Sequence, residues 1–418
     1  MSGHNADPKT DLNTMPDMNS AAPTGPLSDL RVIEMGQLLA GPFCGQLYGD
    51  FGAEIIKIEQ PKIGDPMREW GREKPHGKSL WWPVVARNKK SITLNVREAE
   101  AQEILRDLVK RSDILIENFR PGTMEKWGLG YEALAEINPR LVMIRVSGFG
   151  QTGPRSGEAG FGSIGEAMGG LRYVIGEPDR PPSRAGISIG DSLAATFAAL
   201  GGMMALHAVH RTGRGQVVDS AIYEAVLAMM ESLVTEYDKA NYTRERTGAI
   251  LPNVAPANAY ACTDGMLLIA ANQDTVFRRL ADAMDRPDLK NDPRYATHGA
   301  RGANQVELDA LVDDWTRTMT VDAAIARMNA FGVPVGRIYR AADMLEDAHF
   351  KARDSIVRIP HKIFGSLAMQ NVAPKLSATP GQVRSAGPDL GEHNDYIYRG
   401  LLGFDDARLA DLKARGIV

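Results

Sequence analysis

Arg31-Val-Ile-Glu34 and Glu54-Ile-Ile-Lys-Ile-Glu59, with Ala40 to Phe51 between them, decide the fold. The two short β-branched runs read as strands and the segment between them as a helix. Together they form a βαβ unit whose second strand closes on an acid, Glu59, roughly where a dinucleotide fold holds a ribose. The phosphate fingerprint is missing, because the glycines fall at Gly36, Gly41 and Gly45 and no GxGxxG joins strand to helix. A Rossmann-like fold is therefore expected, and NAD binding does not follow from it.

The alternation continues through strand Ser91 to Val96, helix Glu98 to Arg111, strand Asp113 to Glu117, a helix near Met124 to Ala135, and strand Leu141 to Val146. Such a chain predicts an α/β domain with a parallel, doubly wound sheet, whose ligands bind in crevices at the carboxyl ends of the strands. Gln60, Arg97, Asn118, Phe119 and Arg120 fall there. Gly148-Phe-Gly150-Gln-Thr-Gly153 matches GxGxxG, but Pro154 follows where the motif needs a helix. Gly71 to Ser79 has one residue too many for a P-loop.

A second informative stretch runs from Arg184 to Leu206, where an apolar run ends at Gly190, Asp191 follows, and small and apolar residues continue without proline. Asp191 reads as the N-cap of a helix from Ser192 to His210. The same position holds a carboxylate ionised and pre-oriented at a helix N-terminus, which also makes it a candidate nucleophile. The helix is apolar nearly all round, so it is expected to be buried or to lie in an interface. Beyond it come a strand after Gly213-Arg-Gly-Gln216, a helix from Ile222 to Tyr237, a hairpin about Asp264-Gly265, and helices Thr275 to Met284 and Asn304 to Phe331. Composition shifts place a large domain at 27–225, a smaller inserted α+β domain at 226–330, and a C-terminal return at 331–418 that completes the large domain. Residues 1–26 read as a disordered leader.

The chain has 418 residues, 44% hydrophobic and 24% charged, the composition of a soluble globular protein. No apolar run approaches the roughly 20 residues of a membrane span. Two distant cysteines, Cys44 and Cys262, exclude a disulfide framework and a CxxC metal site, and a reducing cytoplasm is the natural setting. A net charge of -4 gives no reason to expect nucleic acid. Between Lys57 and Arg97, however, ten Lys/Arg face four Asp/Glu, either a solvated basic face or a site for a phosphorylated small molecule. Scattered histidines without ligand spacing argue against a metal.

Several of these segments, taken in order, resemble the class III coenzyme A transferase family from Leu27 to Val418. They are Ala40-Gly-Pro42, Ile56-Lys-Ile-Glu59 with Gly64-Asp65 and Arg68, Asn88-Lys-Lys-Ser-Ile92, Glu117-Asn-Phe-Arg-Pro-Gly122, Ser147 to Pro154, Gly190-Asp191, Gly213-Arg-Gly-Gln216 and Gly391-Glu-His-Asn-Asp395. The resemblance implies an interlocked homodimer and a nucleophilic aspartate at Asp191. It implies coenzyme A contacts at Gln60, Leu94, Arg97, Asn118, Phe119, Arg120, Lys126 and Phe161. A CoA thioester would be substrate, with no permanently bound cofactor, no metal, and no nucleic-acid or membrane partner.

The implied chemistry is attack of Asp191 on an acyl-CoA, with backbone N–H groups near Gly190 receiving the oxyanion, an aspartyl anhydride, and then an aspartyl-CoA thioester that hands CoA to a free acid. The family's racemases offer an alternative, but they need a histidine where this chain has Phe161, which cannot carry a proton. A non-catalytic CoA-binding protein is the alternative of another class. The stretch from Phe161 to Ser192 looks like members that use succinyl-CoA and dicarboxylic or hydroxy-dicarboxylic acids. Arg184, Arg244 and Arg246 are candidates for a distal carboxylate, or else surface arginines.

Overall fold

The computed structural model describes residues 25–418, so the expected leader, save its last two residues, lies outside the described residues. The chain divides into two compact units. The first comprises the chain up to Gln151 with Ala195–Ser220 and Val357–Val418, and the second comprises Thr152–Ala194 and Ala221–Ile356. Against the sequence boundaries, 152–194 changes sides and the return starts at Val357 rather than at 331. Packing explains the first shift. Gly165 and Gly169, on the helix Gly162–Met168, have no room for a Cβ against Ile222 and Val226 of the helix Ile222–Leu227. No composition shift marks that contact.

The first unit is built on six strands, β1 (Arg31–Glu34), β2 (Glu54–Glu59), β3 (Lys89–Thr93), β4 (Ile114–Glu117), β5 (Val142–Ser147) and β6 (Val217–Ala221), in the order β3-β2-β1-β4-β5-β6. The β1–β2, β1–β4, β2–β3 and β4–β5 pairings are all parallel. Strand order reverses about β1, which creates the crevice expected at the switch point of a doubly wound sheet. Apolar residues at helical spacing on Ala99–Val109, namely Ala101, Ile104, Leu105 and Leu108, pack with Ile33, Ile56 and Leu115. Ile397, Tyr398 and Leu412 of the C-terminal segment join the same core. The buried Tyr398 hydroxyl donates to the Thr93 carbonyl at 2.6 Å, tying that segment to the end of β3.

Three expected helices are each broken in two. Thr123–Lys126 and Tyr131–Ile137 are separated at Gly128, whose φ of 65° only glycine takes without strain. Ile222–Leu227 and Leu233–Ala240 replace the helix expected to Tyr237. Gln305–Thr316 is followed by Val321–Ala330, where the Thr320 hydroxyl accepts from the Ala323 N–H and starts a new helix.

The long helix runs from Ile189 to Thr212 and by length and composition alone could cross a bilayer, which corrects the reading that no apolar run is long enough. One face packs in the first unit. Gly201 approaches Val218 of β6, Gly202 approaches Ile144 of β5, and the Tyr48 hydroxyl donates to the Ala199 carbonyl at 2.9 Å. The other face leaves Phe197, Leu200, Met203 and Met204 exposed.

The second unit carries an antiparallel sheet of β7 (Ala257–Cys262), β8 (Gly265–Ala270) and β9 (Val335–Arg337). Gly265 pairs with Cys262, so the hairpin turn is Thr263-Asp264, one residue earlier than the sequence signal suggests. Phe277, Leu280, Leu308, Val312 and Met328 fill the core beneath it.

Candidate active site

Asp191 lies in the first turn of Ile189–Thr212, two residues inside it, and is not its N-cap. Its carboxylate rests against Gly162, the first residue of Gly162–Met168. A Cβ at Gly162 would overlap Oδ2 and lie 2.7 Å from Cγ and 3.0 Å from Oδ1. Glycine is thus required there by close approach. One turn further along the same short helix stands Glu166, 1% exposed. Its Oε1 accepts the Gly190 N–H at 3.2 Å, and its Oε2 takes the Arg172 guanidinium at 2.7 Å.

Burial pushes the half-buried Asp191 carboxyl up to about 6, the Glu166 charge adds to the rise, and Arg184 opposes it. This arrangement corrects one expectation. The Gly190 N–H is already donated to Glu166, and the Ser192 N–H to the Ser188 carbonyl at 3.1 Å, so these two groups do not stand free for an oxyanion. Sequence reasoning missed Gly162 and Glu166. The available signal was an acid inside the glycine-rich run Gly162-Ser-Ile-Gly165-Glu166, directly after Phe161.

Phe161 itself occupies the N-cap position of Gly162–Met168 and is 66% exposed. Of the three arginines, Arg184 donates to the Ser188 hydroxyl at 3.1 Å and is the one whose charge reaches Asp191. Arg244 is tied to Glu231 at 3.0 Å and Glu236 at 2.9 Å. Arg246 donates to the Tyr173 carbonyl at 3.0 Å and lies over that ring.

In the first unit Gln60, Leu94 and Arg97 follow β2 and β3, and Asn118, Phe119 and Arg120 follow β4, all at carboxyl ends. Leu94 is buried in the core, whereas Arg97, Arg120 and Lys126 are exposed. Asn118 accepts from the Gln37 N–H and donates to its carbonyl, both at 2.8 Å, pinning the β1 loop to the β4 loop across the switch point. Phe119 packs edge-on against Trp127, with ring centroids 5.3 Å apart.

The basic surplus between 57 and 97 is largely spent inside the fold. Lys57 pairs with Asp65 at 2.7 Å and Glu34 at 3.2 Å, Lys89 with Glu34 at 2.7 Å, Arg68 with Glu59 at 2.7 Å and Arg87 with Asp50 at 2.5 Å. Lys62, Lys78 and Arg97 are exposed and have no ion pair among the described residues. The sequence glycines serve the same network, since Gly36 and Gly41 touch backbone to backbone and Gly45 leaves room for the Glu34 carboxylate. Among the described residues no group of three His, Cys, Asp or Glu could hold a metal.

Residues 27–394 match the model of CoA-transferase family III. The chain is 58% identical over 402 residues to the succinyl-CoA–D-citramalate CoA-transferase of Chloroflexus aurantiacus, covering 96% of this chain and 100% of that protein. It is 38% identical to the beta subunit of that organism's succinyl-CoA–L-malate CoA-transferase, again over 96% of this chain and 100% of the relative. Among solved structures, a CAIB/BAIF family protein from Brucella suis superposes with a TM-score of 0.81 at 34% identity, over 90% of this chain and 100% of that one.

Proposed function

The chain belongs to CoA-transferase family III and is a CoA-transferase acting on acyl-CoA and carboxylic acid substrates, and we propose that it moves CoA from succinyl-CoA to a dicarboxylic or hydroxy-dicarboxylic acid through Asp191. The observation that carries the role of Asp191 is its setting: a half-buried carboxylate with no cation in ion-pair contact among the described residues, seated on Gly162, its pKa raised to about 6. A structural carboxylate would be neutralised where it sits. The named relatives at 58% and 38% identity, which use citramalate and malate, support the substrate class.

In the proposed first step Asp191 attacks the thioester carbonyl, the C–S bond breaks with its electron pair going to sulfur, and CoA thiolate leaves an aspartyl succinyl anhydride. The thiolate then attacks the aspartyl carbonyl, releasing succinate and leaving an aspartyl-CoA thioester. The acceptor carboxylate attacks that thioester, its C–S bond breaks to expel CoA thiolate and leave an aspartyl–acceptor anhydride, and the thiolate then attacks the acceptor carbonyl, giving the new acyl-CoA and releasing the Asp191 carboxylate. Thioester energy is conserved throughout. The acid end of the cycle works above pH 6, where Asp191 is ionised.

Gln60, Leu94, Arg97, Asn118, Phe119, Arg120 and Lys126 on the first unit remain the proposed CoA positions, with Leu94 acting through its backbone because its side chain is core. Phe161 is proposed on the resemblance. Arg184 is favoured over Arg244 and Arg246 for the distal carboxylate, since Arg244 is already ion-paired and Arg246 is held on Tyr173. A second copy of the chain is proposed to cover Phe197, Leu200, Met203 and Met204, in keeping with the interlocked homodimer. The racemase reading draws no support from the groups that act on Asp191: Glu166 is bound to Arg172 and Gly190, and Arg184 is a cation.

The test mixes the protein with succinyl-CoA and a panel of mono- and dicarboxylic acids and looks for new acyl-CoA masses. New masses are expected from dicarboxylates, absent with Asp191→Ala, and less selective for dicarboxylates with Arg184→Gln. Normal turnover by Asp191→Ala would end the proposal for Asp191, and a preference for monocarboxylates would end it for the substrate class.

A further inference from the structure

Glu166 is the one buried acid of the second unit that lies beside the nucleophile without a role in the chemistry above. It is 1% exposed, and its carboxylate is anchored at both oxygens, by the Gly190 N–H at 3.2 Å and by Arg172 at 2.7 Å. Nothing in the fold of this short helix requires an acid at that point. Its neighbours Gly162, Gly165 and Gly169 are fixed by contact with Asp191, Ile222 and Val226, so the helix is held by the absence of side chains. An apolar residue at 166 would satisfy burial at lower cost, because a buried charge needs both a partner and hydrogen bonds. The bond to Gly190 also fixes the residue that immediately precedes Asp191, where a Cβ would stand 2.9 Å from Glu166 Cγ and 3.0 Å from the Gly162 carbonyl. Asp191, Gly190, Gly162 and Glu166 therefore form one tightly packed unit, and Arg172 locks the rotamer of Glu166, the longer of its two side chains.

We propose, on the reading of Asp191 as the nucleophile, that Glu166 and Arg172 form a positioning pair that holds the first turn of the long helix in place and fixes a like charge beside the Asp191 carboxylate. Two linked effects follow. Glu166 takes up the Gly190 N–H that would otherwise stabilise a nearby anion, and it adds a like charge of its own, so Asp191 stays more basic and more nucleophilic. Arg172 anchors the second Glu166 oxygen through the ion pair at 2.7 Å. The charged groups facing Asp191 are Glu166 from Gly162–Met168, with Arg172 paired behind it, and Arg184 from the segment before the long helix. The helix Ile222–Leu227, packed on the other side, presents Ile222 to Gly190, and its Tyr223 donates to Glu224 at 3.0 Å.

The test measures the titration of Asp191 directly, as the carboxyl infrared band lost in Asp191→Asn, in the full-length protein and in Glu166→Gln. The glutamine keeps an oxygen for the Gly190 N–H and removes the charge. The expected result is a midpoint near 6 in the parent, as burial and Glu166 together dictate, and a lower midpoint in Glu166→Gln. The acid limb of kcat/KM should move down with it, so that the rate at pH 5 relative to pH 7.5 rises about threefold, the equivalent of half a pKa unit. Glu166→Asp, which keeps the charge, should titrate closer to the parent than the glutamine variant does. An unchanged midpoint in Glu166→Gln would overturn the proposal, as would an ordinary aspartate midpoint in the parent, a measurement that needs no variant at position 166 to fold. Because the titration does not depend on turnover, a shifted midpoint without an acyl adduct on Asp191 after mixing with succinyl-CoA would refute the nucleophile reading and leave the pair's electrostatic role standing.

Discussion

Asp65 and Asp191 are both carboxylates withdrawn from water, yet they sit in opposite electrostatic surroundings. Asp65, in the first unit, has Lys57 at 2.7 Å and accepts the Met67 N–H at 2.9 Å and the Leu38 N–H at 3.1 Å. Burial alone would raise its pKa, and these partners instead hold it below the ordinary aspartate range. Asp191, in the second unit, has a second carboxylate as its near neighbour and rises to about 6. Acids that serve the fold are neutralised where they sit. Asp191, the acid proposed for the chemistry, instead lies beside a charge of like sign that Arg184 only partly offsets, a state that costs stability.

The comparison breaks most severely if the first network proves dispensable. Lys57→Met would leave Glu34 and Asp65 without their shared cation and remove the Lys57 ammonium that also donates to the Gly36 carbonyl. A loss of about 3–5 kcal/mol is expected, the usual consequence of orphaning a buried charge, read as a fall in the urea midpoint. A change within about 0.5 kcal/mol would mean the ion network does not hold the ends of β1 and β2.

Gly162→Ala probes the other side. Its new Cβ must displace the Asp191 carboxylate, so transfer should fall roughly 100-fold while the unfolding midpoint moves little. Equal losses of stability and rate would show that the glycine serves the helix contact and not the seat of Asp191.

Asp191→Asn gives the most direct contrast with Lys57, because here removing a charge is expected to stabilise the fold. The folded pKa of Asp191, about 6, lies above its ordinary value of 3.8, so ionisation favours the unfolded chain. That penalty is absent below pH 3.8, grows between 3.8 and 6, and is complete above 6. The asparagine variant should therefore be more stable than the parent by up to about 3 kcal/mol at pH 7, and the gain should vanish by pH 3.5. Equal stability at both pH values would place Asp191 among the compensated acids.

Much of the first unit was legible because parallel strands carry their signal locally. β1 and β2 run over the residues the β-branched runs indicate, β4 and β5 fall within one residue of expectation, and β3 starts two residues and ends three residues early. Asp191 was legible too, as an acid between an apolar run and an apolar helix, although its reading as a cap was not correct. Glu166 was not, because neither its burial nor its partners Arg172 and Gly190 can be read from its neighbours in sequence. The basic stretch from 57 to 97 misled for the same reason: Lys57, Arg68, Arg87 and Lys89 look like a ligand-facing surface until Glu34, Glu59, Asp65 and Asp50 are folded onto them.

By itself, then, the sequence determined the βαβ alternation, the family, and the aspartate that opens the long helix, since each rests on residue type and spacing along the chain. Only the tertiary structure decided which charges are spent on one another, which glycine makes room for Asp191, and which acid stands beside it. Those outcomes depend on desolvation and on distances between segments, and both arise only when the chain is folded.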